Sequence, residues 1–416
     1  MKSTGILHIL WLSLFLSCQP KTTSVTLQEG IWRMELFLLP GATLPFTFEL
    51  KKSENDYTIT IINSEERIKV DDIRTQGDSI FIRMPIFDTE FVGKIRDAGS
   101  FSGDWHNYSR SNDYKIAFRA TAGENLRFPL ISQKTPAVID NTWKADFASM
   151  PPEEPYVAIG KFSQTGHHLT GTFLTEIGDY RYLEGAVDGD SLKLSAFDGE
   201  HAFLFLAEKQ PDESLSGKFF SGNHWEETWQ AVPDPEAVLR DADSLTFLKP
   251  GYSQFAFTFP NLEGNPVSLS DIRYVGKVVI VQLMGSWCPN CMDETKLMAR
   301  WYDKYREEGL EVIGLAFERA KTPEAAAASI KRLTDYFAVS YEILLAQNSD
   351  DKIEASEKLP MLNQVMAFPT TIFIDRKGNI RRIHTGFSGP GTGKPYEEFV
   401  KEYSAFVEEL LGEKAR

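Results

Sequence analysis

The sequence predicts a multidomain protein in which an all-β region of two repeated β units precedes an α/β domain. Short runs of alternating apolar and polar residues, separated by turn signals, fill residues 29–235 and predict strands. From Phe255 onwards, strands alternate with amphipathic helical stretches, which is the pattern of an α/β sheet. A length of 416 residues allows two or three such domains.

The β region repeats itself. Residues 77–80 (GDSI) match residues 189–192 (GDSL), and three further matches follow the same order at offsets of 110 to 114 residues. A near-constant offset is hard to produce by chance and indicates duplication. The sequence therefore predicts two related β units, at residues 29–122 and 139–235, each with six to eight strands.

The first 18 residues predict a targeting segment. The apolar run at residues 6–17 is too short to span a bilayer but fits the core of a signal peptide, and Cys18 follows it directly. This arrangement resembles the lipobox of bacterial lipoproteins, in which the cysteine is lipidated and becomes the first residue. The resemblance implies a lipid anchor at Cys18 and a place on the periplasmic side of the cell envelope. A plain signal peptide cut near Cys18 is the alternative.

Charge and cysteine content exclude several functions. The net charge of −15 argues against a nucleic-acid partner, because binding to phosphates requires an excess of Lys and Arg. Three cysteines, Cys18, Cys288 and Cys291, are too few for a structural disulfide framework. They also lack the further ligand pair of a structural zinc site, so no metal is predicted.

Cys288 and Cys291 form a CxxC motif at a predicted strand-to-helix turn. The apolar residues 277–284 before the motif predict a buried strand, and the residues after it predict a helix. A cysteine at a helix N-terminus is favoured as a thiolate, which is the nucleophile of disulfide exchange. The sequence thus predicts a redox-active Cys288–Cys291 disulfide that needs no further cofactor.

Residues 253–416 resemble the thioredoxin fold through two motifs. The first is WCPNC at residues 287–291, and the second is FPTTIFID at residues 368–375, which matches the cis-proline strand of that fold. The resemblance implies that Pro369 is cis and faces the cysteine pair. It also implies that a client is bordered by four neighbouring residues: Trp287, Pro289, Asn290 and Phe368.

Within that fold, the domain most resembles the TlpA-like membrane-tethered disulfide reductases. They share an insertion between the motif helix and the cis-proline, for which residues 319–366 leave room, and a glutamate three residues after the second cysteine, here Glu294. Glu294 shares a helix face with Cys291, so we expect it to be buried, with a raised pKa, and to accept the proton of Cys291. The alternative is a first-turn glutamate that points to water.

The predicted function is therefore that of a membrane-tethered thiol-disulfide oxidoreductase. The resemblance implies that it reduces disulfide-containing client proteins and is re-reduced by a membrane electron donor. Two alternatives remain: a disulfide oxidase or isomerase on the same fold, and a ligand-binding β lipoprotein with an accessory redox domain. A thiol peroxidase is disfavoured, because neither cysteine follows the Pro-x-x-x-Thr/Ser-x-x-Cys pattern of related peroxidases.

Overall fold

The computed structural model describes residues 25–53, 56–132, 134–139, 141–148 and 154–414. The predicted signal peptide and Cys18 lie outside the described residues. Within the described part, no helix is both long and apolar enough to cross a membrane.

The first β unit is a single antiparallel sheet of nine strands. Its strands are β1 Gly30–Leu39, β2 Ala42–Lys52, β3 Tyr57–Asn63, β4 Glu66–Val70, β5 Ile73–Gln76, β6 Ser79–Arg83, β7 Thr89–Asp97, β8 Ser100–Asn107 and β9 Lys115–Ala122. They run in the spatial order β4-β3-β2-β1-β9-β8-β7-β6-β5. Alternate residues of strands such as β1 and β7 are buried and build an aromatic core, which residues of the second β unit, such as Phe197, complete.

The second β unit also has nine antiparallel strands and closes into a barrel. Its strands are β10 Thr142–Ala148, β11 Tyr156–Thr165, β12 His168–Thr175, β13 Gly178–Asp179, β14 Leu183–Asp188, β15 Ser191–Phe197, β16 Ala202–Lys209, β17 Leu215–Ser221 and β18 Trp225–Pro233. Because β11 pairs with both β10 and β12, the first and last parts of the sheet are hydrogen-bonded to each other and the sheet is closed. Nine strands in each unit exceed the six to eight expected from the sequence.

The two β units share a buried tryptophan with the same hydrogen bond at equivalent positions. Trp32 in β1 is fully buried, and its indole N–H donates a 2.9 Å hydrogen bond to the carbonyl oxygen of Gln28. Trp143 in β10 is buried in the second core, and its indole N–H donates to the carbonyl of Ile139 at 3.0 Å. In each unit, a buried tryptophan of the first strand thus donates its indole N–H to the carbonyl four residues earlier in the chain. This equivalence is expected of repeated units.

The C-terminal domain is a mixed five-stranded sheet flanked by helices. Its elements are the hairpin β19 Thr258–Pro260 and β20 Pro266–Ser268, the sheet strands β21 Val278–Met284, β22 Leu310–Phe317, β23 Glu342–Gln347, β24 Thr370–Ile374 and β25 Ile380–Thr385, and the helices α1 Pro289–Tyr305, α2 Pro323–Phe337, α3 Lys352–Lys358 and α4 Lys394–Gly412. The order is β23-β22-β21-β24-β25. Every residue of the central strand β21 is buried, and β22 and β23 run parallel to it.

The segment between the second β unit and this domain packs on the domain. The hydroxyl of Tyr403 in α4 donates a 2.6 Å hydrogen bond to Asp243, and the imidazole of His384 lies 2.8 Å from the same carboxylate. Thr246 is buried and bonded to Thr385 of β25. The segment that follows the second β unit is therefore held against the C-terminal domain at Asp243 and Thr246.

Candidate active site

Cys288 and Cys291 are disulfide-bonded, with their Cα atoms 5.2 Å apart. Cys288 is the N-cap residue of α1, and its Sγ accepts a hydrogen bond from the backbone N–H of Cys291 at 3.2 Å. Cys288 is 6% exposed and Cys291 is fully buried. The sulfur that is reachable from outside therefore lies at the helix N-terminus, where backbone N–H groups favour its thiolate.

The Phe368–Pro369 peptide bond is cis and borders the cysteine pair. The carbonyl oxygen of Phe368 lies 3.5 Å from Sγ of Cys288, and the Phe368 ring meets the Trp287 ring edge-on at 6.1 Å. Pro369 continues directly into β24, the antiparallel neighbour of β21. The fold thus brings together two motifs that are about 80 residues apart, because β21 and β24 are adjacent strands.

Glu294 lies completely inside the domain, one helical turn after Cys291. Its carboxylate accepts hydrogen bonds from Gln282 Nε2 at 2.9 Å and from Thr371 Oγ1 at 2.8 Å. Burial raises the pKa of Glu294 to about 7, against the two hydrogen bonds, which favour the charged form. The same Gln282 amide also donates to the carbonyl of Cys291 at 3.3 Å, so the carboxylate and the buried cysteine share one partner.

A second buried carboxylate, Glu318, supports the residue before Trp287. It accepts the backbone N–H of Ser286 at 2.8 Å and the Ser286 hydroxyl at 2.7 Å. Burial raises the pKa of Glu318 to about 7. These two bonds fix the turn between β21 and the motif, and therefore the direction in which the motif leaves the sheet.

Trp287 lies beneath a guanidinium that joins two domains. Arg319 stands 3.8 Å above the Trp287 ring, a distance typical of a cation–π contact. Its Nε bonds to Asp350 at 2.7 Å, and its Nη1 bonds at 3.2 Å to Glu200, a buried residue of the second β unit. The indole N–H of Trp287 donates to the carbonyl of Phe317. Trp287 is thus covered by side chains of this protein.

The second β unit also reaches the two residues between the cysteines. Arg181 is buried, and its Nη1 donates to the carbonyl of Pro289 at 3.2 Å and to Asp293 at 2.5 Å. The Asn290 amide donates to the carbonyl of Asp179 at 3.2 Å. Pro289 and Asn290, which the sequence places against a client, are therefore held against β13 and the loop that follows it.

A cavity of about 420 Å³ remains between the second β unit and the redox motif. Cys288 lines it from one side together with Phe368, and Ile177, His201 and Phe203 line it from the β unit. Its size is that of a typical small-ligand site. Among the described residues, no group of three or more His, Cys, Asp or Glu side chains could hold a metal ion.

Sequence reasoning missed the residues that surround the motif from other elements. Glu318 and Arg319 directly follow β22, which is parallel to β21, so both strands end at the same edge of the sheet. That edge is where α/β proteins place their sites, and this rule could have identified the pair. Arg181 had no such signal, because it lies in a β-unit loop 107 residues before Cys288.

The fold and the cysteine pair define a thioredoxin-fold thiol-disulfide oxidoreductase. The AhpC/TSA family model matches residues 250–383. Thiol-disulfide oxidoreductase ResA of Halalkalibacterium halodurans is 30% identical over 145 residues, which cover 35% of this chain and 72% of the relative. Thioredoxin-like protein YneN of Bacillus subtilis is 28% identical over 130 residues, covering 31% of this chain and 68% of the relative.

Among solved structures, the thioredoxin domain of a thiol-disulfide oxidoreductase from Bacteroides vulgatus is 25% identical, with a TM-score of 0.28; the likeness covers 37% of this chain and 99% of that one. Through its C-terminal domain, the chain belongs to the TlpA-like thiol-disulfide oxidoreductases. This family implies disulfide-containing proteins as clients.

Proposed function

We propose that this protein is a membrane-tethered disulfide reductase of the cell envelope. The observation that carries the proposal is the position of Cys288: its sulfur caps α1, faces the carbonyl of Phe368 beside the cis-proline, and lines a cavity. A thiolate at this place has the helix N-terminus to stabilise it and room for a second sulfur.

In the proposed reaction, the Cys288 thiolate attacks one sulfur of a client disulfide. The client's other sulfur leaves as a thiolate, and a mixed disulfide joins Cys288 to the client. Cys291, as a thiolate, then attacks Sγ of Cys288 and releases the second client sulfur. Two electrons pass from the cysteine pair to the client, and the Cys288–Cys291 disulfide is the oxidised product.

Glu294 is proposed to hold the proton that Cys291 must lose. Cys291 is fully buried, which disfavours its thiolate, so its attack requires a nearby base. A carboxylate whose pKa is raised to about 7 is ionised in part near neutral pH and can take that proton. Gln282 bonds to the Glu294 carboxylate and to the backbone carbonyl of Cys291, and so holds this base one helical turn from the cysteine.

The tether and the electron supply are proposed from the sequence. Cys18 follows a signal-like apolar run, so lipidation there would hold the protein at a membrane on the periplasmic side. Each turnover leaves the cysteine pair oxidised, so a membrane electron donor would have to reduce it again. The Cys18→Ala variant is expected in the soluble fraction; membrane attachment of that variant would refute lipidation.

The direction of exchange is tested by the reduction potential of the Cys288–Cys291 pair. We expect a value near that of thioredoxin, about −270 mV, which suits a reductase. The measurement equilibrates the protein with redox buffers of known potential and follows the thiols by alkylation. A value near about −120 mV, that of a strong oxidant, would contradict the proposal and favour disulfide formation.

A further inference from the structure

The face of the CxxC motif that would receive a large client is occupied by the second β unit. Pro289 is bonded to Arg181, and Asn290 is bonded to Asp179. Gly178 lies so close that a Cβ at this position would stand 2.1 Å from the Asn290 amide nitrogen. A side chain at Gly178 has no room, so the β unit and the motif are in direct contact.

We name this cover the β wall: residues 175–181 together with His201 and Phe203. The β wall is anchored at several points on the redox domain. The carboxylate of Asp179 accepts the backbone N–H of Gly389 at 2.6 Å. Gly386 also fits tightly beneath the wall, since a Cβ there would lie 2.8 Å from the carbonyl oxygen of Glu176.

Arg181 ties the β wall to the rest of the protein. Besides Pro289 and Asp293, its guanidinium bonds to Glu66 of the first β unit at 2.5 Å, and its Nε lies 3.6 Å from Asp198. A buried cation with three carboxylate partners, one on each β unit and one on α1, is costly to displace, because separation leaves unpaired charges. The wall is therefore a fixed part of the site.

Among the residues that the structure describes, the β wall leaves Cys288 lining the cavity of about 420 Å³, through which a substrate can reach its sulfur. For Sγ of Cys288 to attack, the client disulfide must enter this cavity. It then lies between the β wall and Phe368, which both line the cavity. A pocket of this size holds a small molecule or a short length of chain. The convex surface of a folded domain does not fit into it.

We propose that the β wall selects substrates by shape, admitting a disulfide carried by a small molecule or by one extended chain and excluding disulfides on folded proteins. This inference rests on the proposed reductase function and names its substrate class. Chemistry in the cavity is unchanged: Cys288 and Cys291 give two electrons, and the substrate disulfide becomes two thiols.

The test compares three disulfides with the full chain after its cysteine pair has been reduced and excess reductant removed. The probes are oxidised glutathione, a linear peptide carrying one mixed disulfide with cysteine, and folded insulin. Each rate of protein oxidation is divided by the rate at which dithiothreitol reacts with the same probe, which removes differences in intrinsic reactivity. We expect insulin to be slower than the unfolded probes by about a hundredfold, within the range that a pocket can discriminate.

A variant that narrows the cavity links this selectivity to the β wall. Ile177 lines the cavity and is 44% exposed, so Ile177→Trp is expected to fold and to slow the linear peptide by about tenfold. Val232→Trp is the matched control. Val232 is on the same β unit and 51% exposed, but does not line the cavity, so its rates should not change.

The outcomes separate this inference from the function on which it rests. Equal normalised rates for all three probes, or equal effects of the two tryptophan variants, would overturn selection by the β wall while leaving the reductase intact. If reduced protein is oxidised by none of the three, the reductase function fails and the inference falls with it. A fast reaction with oxidised glutathione or with the linear peptide, together with a slow reaction with insulin, supports substrate selection by the β wall.

Discussion

The side chain of Gln282 donates one hydrogen bond to the carboxylate of Glu294 and another to the carbonyl oxygen of Cys291. Gln282 is fully buried in the central strand β21, beneath the first turn of α1. Because this amide is neutral, it holds the carboxylate in place without adding a charge of its own. The relation gives Glu294 a fixed position behind the cysteine that resolves the mixed disulfide.

Glu294→Gln is expected to change the pH dependence of exchange. Burial raises the pKa of Glu294 to about 7, so its basic form, which accepts the proton of Cys291, accumulates as the pH rises through that value. The resolving step should therefore accelerate across this range in the wild type. In the variant, the step should be about a hundredfold slower above pH 7 and lack this ionisation.

Stopped-flow release of client thiol from a preformed mixed disulfide measures this step. The control is Glu307→Gln, because the Glu307 side chain is 91% exposed and lies beyond the far end of α1. An unchanged pH profile in Glu294→Gln would make Glu294 a packing residue. Stability gives a second readout: because the folded-state pKa of Glu294 is raised, this carboxyl costs stability as the pH rises from its ordinary pKa of 4.5 towards 7, and Glu294→Gln should lose stability less steeply over that range than the wild type.

The two cysteine variants should fail in different ways. Cys288→Ser removes the more exposed sulfur, so we expect no client reduction. Cys291→Ser keeps the attacking sulfur but removes the resolving one, so mixed disulfides between Cys288 and the client should accumulate. Non-reducing electrophoresis detects these adducts, with the double variant as the control. Normal turnover by either single variant would contradict the assigned roles.

Several elements of the redox domain were predictable because their patterns are strong and local. The run VVIVQLM in β21 is apolar apart from Gln282, which is typical of a central strand, and Thr322 followed by Pro323 marks the start of α2. The resemblance of two short motifs placed Pro369 beside Cys288. None of these predictions needed contacts between domains.

The missed features are either short or long-range. β13 has two residues, and β5 has a single buried residue, Ile73, so neither shows the alternation that predicts a strand. The seven-residue helix α3 buries only Ala355, which leaves no periodic pattern. Because β5 and β13 show no strand pattern, the number of strands predicted for each β unit was too low. The cover over the motif was missed because it depends on Arg181, whose partners lie on other elements.

Ser286→Ala should destabilise the redox domain, because it removes a hydrogen-bond donor from the buried carboxylate of Glu318. The buried Glu318 would keep the backbone N–H of residue 286 but lose the hydroxyl donor to its second oxygen. A buried acceptor without a partner costs about 1–3 kcal/mol. Urea unfolding measures the loss, with Ser270→Ala as an exposed control. A loss no larger than the control's would show that the Ser286 hydroxyl is dispensable.

Arg181→Met should destabilise the protein in a pH-dependent way. The guanidinium neutralises carboxylates on both β units and on α1, and removing one partner of a buried ion pair costs about 3–5 kcal/mol. Burial raises the pKa of Asp293 to about 6, from an ordinary value of 3.8, so the folded protein takes up this proton more readily than the unfolded chain. Arg181 lowers the pKa of Asp293, so in the variant Asp293 is protonated already above pH 6; protonated Asp293 needs no cation, and the cost should shrink as the pH falls towards 6.

Urea unfolding of wild type and variant at pH 8 and at pH 5 measures this difference. Arg240→Met is the matched control, because Arg240 pairs with Glu176 of the same β wall but is exposed, so its loss should have little effect at either pH. An equal loss at both pH values for Arg181→Met would show that the cost does not depend on the charge of Asp293. A smaller loss at pH 5 than at pH 8 would show that neutralising Asp293 helps to hold the second β unit over the cysteine pair.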